Sequence, residues 1–163
     1  MANQDQVKYV PAGTGPMYFG PGDRVSFMVT GKESHGNCFI CEGMFPPGGG
    51  PPPHRHFFED EAFYVLEGAI TFYAGDQKIQ AKPGDFVHIP RGMVHWMKNE
   101  SNAPARALAI ITPAGEKGMQ QFFEESFTPT TDRNATPPPI SEELVKRMIA
   151  AAARNGLEFM KSE

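Results

Sequence analysis

The sequence contains little cysteine, no long apolar run and no cluster of basic residues. Two cysteines among 163 residues cannot form a disulfide framework. The longest apolar stretches, such as residues 107–111, are far shorter than the ~20 residues that cross a bilayer, so no membrane association is expected. Lysine and arginine number 15 against 19 acidic residues and are scattered along the chain, so no nucleic-acid partner is expected.

Neither the N-terminus nor the cysteines indicate an exported or redox-active protein. The start, MANQDQVKYV, lacks the basic stretch followed by an apolar stretch that marks a secretory signal, so a cytoplasmic location is expected. Cys38 and Cys41 have C-x-x-C spacing, but they lie in a β-rich run and not at the start of a helix. Positions three apart on a strand face opposite sides. We therefore interpret them as ordinary, partly buried cysteines.

Glycine, proline and phenylalanine are abundant, with 17, 16 and 13 residues. Turn residues such as Gly75-Asp76 and Pro83-Gly84 separate short apolar or alternating runs. We predict these runs as strands: 24–30, 37–45, 61–73, 78–82, 85–89, 94–98 and 105–112. Strands at this close spacing, with no helix between them, predict an all-β fold, either an antiparallel sandwich or a barrel.

Four segments are expected along the chain. Residues 1–22 form an N-terminal arm and residues 23–127 form the β-barrel domain, which ends in a short helical pattern at 116–125. Residues 128–140, TPTTDRNATPPPI, are a polar, proline-rich linker. Residues 141–163 begin with Ser141 as the N-cap of a C-terminal helix, which packs on the barrel or on a partner subunit.

Three of the five histidines and one glutamate form a pattern typical of a metal site. His54 and His56 are two residues apart, so on a strand both rings project to the same face. Glu61 follows at an odd offset and reaches the same centre only if the chain bends between them. His95 lies beyond three further turn signals. Three imidazoles and one carboxylate suit an open site for a divalent metal such as Fe, Mn, Co, Ni or Cu, not the closed thiolate set of structural zinc.

Glycines and prolines around these four residues complete two longer motifs. The first has the spacing G-x5-H-x-H-x4-E-x6-G: Gly48, His54, His56, Glu61 and Gly68. The second has the spacing G-x5-P-x-G-x2-H-x3-N: Gly84, Pro90, Gly92, His95 and Asn99. Both resemble the two motifs of the cupin superfamily, over about a third of the chain. The resemblance implies a double-stranded β-helix, or jelly-roll barrel, with one divalent metal (Fe, Mn, Ni, Co, Cu or Zn) bound by His54, His56, Glu61 and His95.

The local sequence GGGPPPHRH, followed by EAFYVLEG, also resembles single-domain quercetinase-type cupins. That resemblance implies a dioxygenase that opens a flavonol or another aromatic or enolic substrate with O2. Our hypothesis is that Glu61 is both a metal ligand and the general base, because a carboxylate can accept the substrate proton. Arg55, between the two ligand histidines, is expected to point away from the metal.

Two other functions remain open from the sequence. One is a non-redox isomerase or lyase that uses the metal as a Lewis acid on a small oxygenated molecule, and the other is a metal-dependent binding protein without turnover. The expected partners are a small-molecule substrate and, for a dioxygenase, O2. A homodimer is also expected, because sheet edges are usually covered and the terminal segments suit exchange between subunits.

Overall fold

The computed structural model describes residues 7–160 of the chain. Over these residues there are twelve strands and two helices, α1 (Met119–Ser126) and α2 (Glu142–Arg154). The strands are β1 (Met17–Phe19), β2 (Arg24–Val29), β3 (Phe39–Phe45), β4 (His54–His56), β5 (Asp60–Glu67), β6 (Ile70–Ala74), β7 (Gln77–Ala81), β8 (Phe86–Ile89), β9 (His95–Lys98), β10 (Ala105–Thr112), β11 (Thr128–Thr130) and β12 (Leu157–Phe159). Neither helix in this part of the chain is long and apolar enough to cross a bilayer.

The strands form two antiparallel sheets around one core. The larger sheet has the order β11-β1-β2-β3-β10-β5-β8, and the smaller has the order β12-β4-β9-β6-β7. Neighbours in each sheet are mostly distant in sequence, as in β3-β10-β5, which is the connectivity of a jelly roll. The predicted all-β, double-stranded β-helix with a short C-terminal helix is confirmed.

Strand alternation builds the interior. Along β3 and β10 burial alternates residue by residue, so one face of each strand lines the core and the other faces outward. Phenylalanines then join the barrel to α1: Phe27, Phe39, Phe122, Phe123 and Phe127. Because aromatic side chains bury large apolar areas, this cluster fixes α1 against the barrel.

One predicted strand is two strands in the structure. The run 61–73 divides into β5 and β6, which belong to different sheets. Within this run the one turn signal is Gly68 followed by Ala69, and the apolar pattern continues on both sides of it. A continuous apolar run does not by itself reveal where a strand changes sheets.

The C-terminal segment begins as predicted and packs on its own chain. The Leu144 backbone N–H donates to Ser141 Oγ at 3.1 Å, which confirms the N-cap. Arg154 then binds Glu125, near the end of α1, with Nε to Oε2 at 2.9 Å. After α2 the chain forms β12, which pairs with β4 at the edge of the smaller sheet. The segment therefore covers the strand that carries His54 and His56.

The segments expected to be an arm and a linker each contribute a strand. β1 and β11 pair with each other at one edge of the larger sheet. The division into four segments stays a prediction, and its first residues, 1–6, and its last, 161–163, lie outside the described residues. The homodimer also stays a prediction.

Three apolar side chains are exposed on neighbouring strands β5 and β8: Tyr64 at 43%, Leu66 at 39% and Phe86 at 59%. Sedimentation of the purified chain would test whether a second copy covers them.

Candidate metal centre

Two neighbouring strands of the smaller sheet carry the three histidines. His54 and His56 are the first and last residues of β4, and both are buried while Arg55 between them is not. His95 is the first residue of β9 and lies directly opposite His54 in the antiparallel pair. Strand alternation and this register together bring the three imidazoles to one face of the sheet.

Glu61 approaches the histidines from the opposite sheet. β4 ends at His56, and the chain turns before β5 begins at Asp60 in the larger sheet. This crossing provides the bend that the odd spacing of Glu61 required. Glu61 is 3% exposed, so its carboxylate lies inside the barrel.

The structure brings all four predicted residues together. Each offers one ligand atom, and these atoms all lie within 4.8 Å of one another. Glu61 Oε2 is 3.0 Å from His95 Nε2 and 3.5 Å from His56 Nε2. All four residues are buried, so no alternative surface partner competes for them.

Backbone carbonyls orient two of the imidazoles. His54 Nδ1 is 2.8 Å from the Pro52 carbonyl oxygen, and His95 Nδ1 is 3.0 Å from the Met93 carbonyl oxygen. A carbonyl only accepts, so in each ring Nδ1 carries the hydrogen and Nε2 keeps its lone pair. Metal-binding histidines are held in this way, with the remote nitrogen free to act as the ligand.

A buried glutamate orients the third imidazole. Glu59 Oε2 lies 3.5 Å from His56 Nδ1, and the same carboxylate accepts the Met119 backbone N–H at the start of α1. Gly118 permits this approach, because a Cβ there would collide with the Glu59 carboxylate. His56 Nε2 is buried and has no hydrogen-bond partner among the described residues. An unpartnered buried nitrogen is costly unless it binds a ligand.

Electrostatics keep Glu61 and His54 in the protonation states of metal ligands. Burial alone would raise the pKa of Glu61, but the neighbouring imidazoles of His56, His95 and His54 outweigh it and hold the pKa at about 2. Burial and the two other imidazoles lower the pKa of His54 to about 3. Near neutral pH, Glu61 is therefore a carboxylate and His54 a neutral imidazole, as metal binding requires.

The donor set fits a divalent transition metal. Three imidazole nitrogens and one carboxylate oxygen suit Fe, Mn, Co, Ni, Cu or Zn and leave room for a further ligand in the coordination sphere. The orphaned His56 Nε2 and the three oriented rings provide the structural match. The four residues could therefore hold one divalent metal ion.

An apolar cavity of ≈ 820 Å³ lies against the cluster, and both His54 and Glu61 form part of its wall. The other walls are mostly apolar side chains of the barrel, of α1 and of the C-terminal segment, including Phe63, Met97 and Phe122. This volume lies in the range of pockets that enclose a drug-sized molecule. A bound molecule would thus contact the metal centre at one place and apolar side chains elsewhere.

Comparison with known proteins shows similarity to the cupin family over part of the chain. The model of the family described as "Cupin domain" matches residues 42–111, which include all four clustered residues. Residues 42–111 are therefore similar to a cupin domain. Solved structures with the same fold include a predicted oxalate decarboxylase of Thermotoga maritima, at a TM-score of 0.61 and 20% identity, covering 66% of this chain and 99% of that one. The polyketide cyclase RemF of Streptomyces resistomycificus has a TM-score of 0.58 at 24% identity, covering 68% and 81%.

Curated relatives match this chain over only part of their own length. The quercetin 2,3-dioxygenase of Bacillus subtilis is 32% identical over 93 residues, which cover 56% of this chain and 27% of that protein. An uncharacterized protein of Methanocaldococcus jannaschii is 30% identical over 74 residues, covering 45% and 59%. The tetracenomycin polyketide synthase protein TcmJ of Streptomyces glaucescens is 24% identical over 102 residues, covering 63% and 67%. The chain therefore spans only part of the first relatives it matches.

Several residues near the four clustered residues were not predicted as ligands and have other places in the structure. Arg55 points away from the centre and binds Glu158 of β12, with Nε to Oε2 at 2.7 Å. Cys41 is a buried free thiol in the cavity wall, and Cys38 is partly buried. Asn99 ties two turns together by donating to the carbonyls of Phe45 and Ala103.

Sequence reasoning did not single out Glu59. It lies in the bend between two predicted ligands, and an acidic residue in a turn is usually solvated. The available signal was its position three residues after His56, close enough to reach that ring.

Replacing Glu59 with glutamine should weaken metal binding by about 10–100-fold, the range typical of a residue that orients a ligand histidine. The matched control is Asp60→Asn, because the neighbouring Asp60 pairs with the exposed Arg91 at 3.0 Å. Competitive titration with a chromogenic chelator measures both affinities. Equal affinities for the two variants would contradict the orienting role.

Proposed function

We propose that this protein is a metal-dependent dioxygenase that acts with O2 on a flavonol-like aromatic or enolic substrate. His54, His56, Glu61 and His95 would hold one divalent metal. The observation that carries the proposal is the apolar cavity of ≈ 820 Å³ with His54 and Glu61 in its wall. A planar aromatic molecule fits such a cavity. The local similarity to the Bacillus subtilis dioxygenase supports the same substrate class.

Within the site, Glu61 has the right properties to move a proton. A bound divalent metal supplies charge that makes a substrate hydroxyl acidic near neutral pH. Glu61 lines the cavity beside the other three residues, and its Oε2 would accept that proton. His54, His56 and His95 would be held in position by the contacts of their Nδ1 atoms with Pro52, Glu59 and Met93. Glu61 is thus proposed as both ligand and catalytic base.

Apolar segments over the cavity would exclude water during the reaction. The wall includes Met148 and Ala152 of α2 and Phe159 of β12, and Phe159 lies with its ring centre 6.1 Å from that of His54. Water exclusion strengthens electrostatic interactions in the site and protects reactive species from side reactions. A dioxygenase that opens a flavonol ring incorporates both atoms of O2 and releases one carbon as CO, so it needs no external reductant.

An O2-uptake screen tests the proposal directly. The purified protein is loaded separately with Fe, Mn, Co, Ni, Cu and Zn and supplied with quercetin or 3-hydroxyflavone. At least one metal form should consume O2 and release CO in equal amounts. If every metal form binds its ion and none consumes O2 with either flavonol, the dioxygenase proposal is wrong.

The second candidate is non-redox chemistry on a polycyclic substrate. The similarity to TcmJ, whose name places it in polyketide synthesis, favours this alternative, and the apolar cavity suits such a molecule equally well. Product formation under anaerobic conditions separates the two, because only the dioxygenase requires O2. Tight binding without any product would instead favour a small-molecule-binding protein.

A further inference from the structure

Asp23 is an acidic residue in the wall of the same apolar cavity, in a different part from the metal cluster. It precedes β2 and lines the cavity beside Pro21, Arg24 and Gly50. Its Oδ1 is buried and has no hydrogen-bond partner among the described residues. That atom faces the loop before β4, since a Cβ added to Gly49 would lie 3.1 Å from it.

Two other aspartates, Asp60 and Asp85, have hydrogen-bond partners for their side chains. Asp60 accepts from Arg91 at 3.0 Å, and Asp85 accepts the Lys82 backbone N–H at 2.9 Å. The nearest cationic neighbour of Asp23 along the chain, Arg24, donates instead to the Arg133 carbonyl oxygen at 2.7 Å. A buried carboxyl oxygen without a partner costs free energy. A residue that served only stability would not be expected to carry this cost.

Burial changes the acid–base character of this residue. It raises the pKa of Asp23 to about 7, and the Gly50 backbone N–H offsets the effect only in part. Near neutral pH the side chain therefore exists both as a carboxylic acid, which donates and accepts hydrogen bonds, and as a carboxylate, which accepts them. Either form can bind a hydroxyl group.

The distance to the metal cluster suits a single ligand. Asp23 contacts the loop at Gly49 and Gly50, and Gly50 is four residues before His54. Four fully extended residues span at most about 14 Å, and His54 lines the same cavity. One molecule of two or three fused or linked rings can therefore approach both places.

We propose that Asp23 binds a hydroxyl group of the substrate at a point remote from the metal centre, so that the cavity selects planar aromatic molecules with a second, distal hydroxyl. The proposal deepens the proposed function and rests on it for the identity of the cavity as the substrate site. Asp23 would position the substrate and fix which of its groups faces the cluster. It would not bind the metal.

Flavone and its four monohydroxylated forms with the hydroxyl at position 5, 7, 3′ or 4′ provide a matched test. None carries the hydroxyl at position 3 on which the proposed reaction depends, so binding is measured without turnover. Fluorescence or calorimetric titration of the full chain should find at least one hydroxyflavone that binds about tenfold more tightly than flavone, the gain expected of one buried hydrogen bond.

Substitutions at Asp23 then test whether this side chain causes the tighter binding of the hydroxyflavone. Asp23→Leu and Asp23→Ala should remove the advantage of the hydroxyl while flavone affinity changes less than about threefold, which also shows that the cavity is intact. Asp23→Asn, which keeps a donor and an acceptor, should retain most of the advantage. Asp76→Leu, at an exposed hairpin turn, is the control and should match the unaltered chain.

Three outcomes overturn the proposal: no flavone binds, no hydroxyflavone binds more tightly than flavone, or the gain persists in both Asp23→Leu and Asp23→Ala. The proposed function fails by a different result, the absence of O2 uptake with flavonols in every metal form. The two failures are therefore distinguishable.

Discussion

Replacing Glu61 with glutamine should leave measurable metal on the protein and reduce kcat with a flavonol by about 10²–10⁴-fold, the usual contribution of a general base. Glutamine keeps the size of the side chain and one oxygen near the imidazoles, but it does not take up the substrate proton. Metal content is measured by mass spectrometry and kcat by O2 uptake on the same sample. A fall in kcat without a fall in metal content then reports the loss of the base and not the loss of a metal ligand.

The matched control for this experiment is Glu67→Gln. Glu67 lies on the same strand as Glu61, but it pairs with Arg106 at 3.0 Å on the outside of the barrel. It should keep both metal and turnover. If Glu61→Gln turns over at the rate of the control with its metal bound, Glu61 is not the base.

Replacing His56 with alanine should abolish stoichiometric metal binding, because it removes one of four ligands and leaves Glu59 and Glu61 without their shared imidazole. In the unaltered protein, a metal at 100 times its Kd should stabilise the fold by about 2.7 kcal/mol. For a chain of this size that corresponds to a rise in Tm of roughly 5–10 °C. In His56→Ala the same addition should leave Tm unchanged.

His88→Ala is the control for metal loss. His88 is an exposed residue on β8 and was not predicted as a ligand. The His88→Ala variant should retain about one metal ion per chain and show the full rise in Tm on metal addition. A His56→Ala protein that still binds one ion with unchanged affinity would contradict the four-residue centre.

The ligand cluster could be predicted because its signals are local. His54 and His56 share a face by strand alternation, and the glycines and prolines of the two motifs fix the turns that return the chain to them. The odd offset of Glu61 required a bend, and the structure has it as the crossing between sheets. Local parity and turn chemistry were therefore sufficient for an all-β fold, whereas the jelly roll and the four-ligand set were what the resemblance to the two cupin motifs implied.

The surroundings of the centre could not be predicted because they depend on long-range pairing. β12 has three residues and pairs with β4 about a hundred positions earlier in the chain; nothing in Leu157-Glu158-Phe159 specifies that partner. Asp23 follows Pro21-Gly22, a context typical of an exposed turn. The burial of its Oδ1 results from the approach of the Gly49–Gly50 loop, which is fixed only when the barrel closes.

The pairing of β12 with β4 holds one side of the cavity closed. Main-chain hydrogen bonds anchor this edge at both ends, from the Phe57 N–H to the Gly156 carbonyl and from the Met160 N–H to the Pro53 carbonyl, each at 2.8 Å. Opening the cavity on this side therefore requires the hydrogen bonds between β12 and β4 to break. A large ligand could enter by that route only during local unfolding of this edge. The rate at which the Phe57 and Met160 amide hydrogens exchange with deuterium would measure how often the edge unfolds.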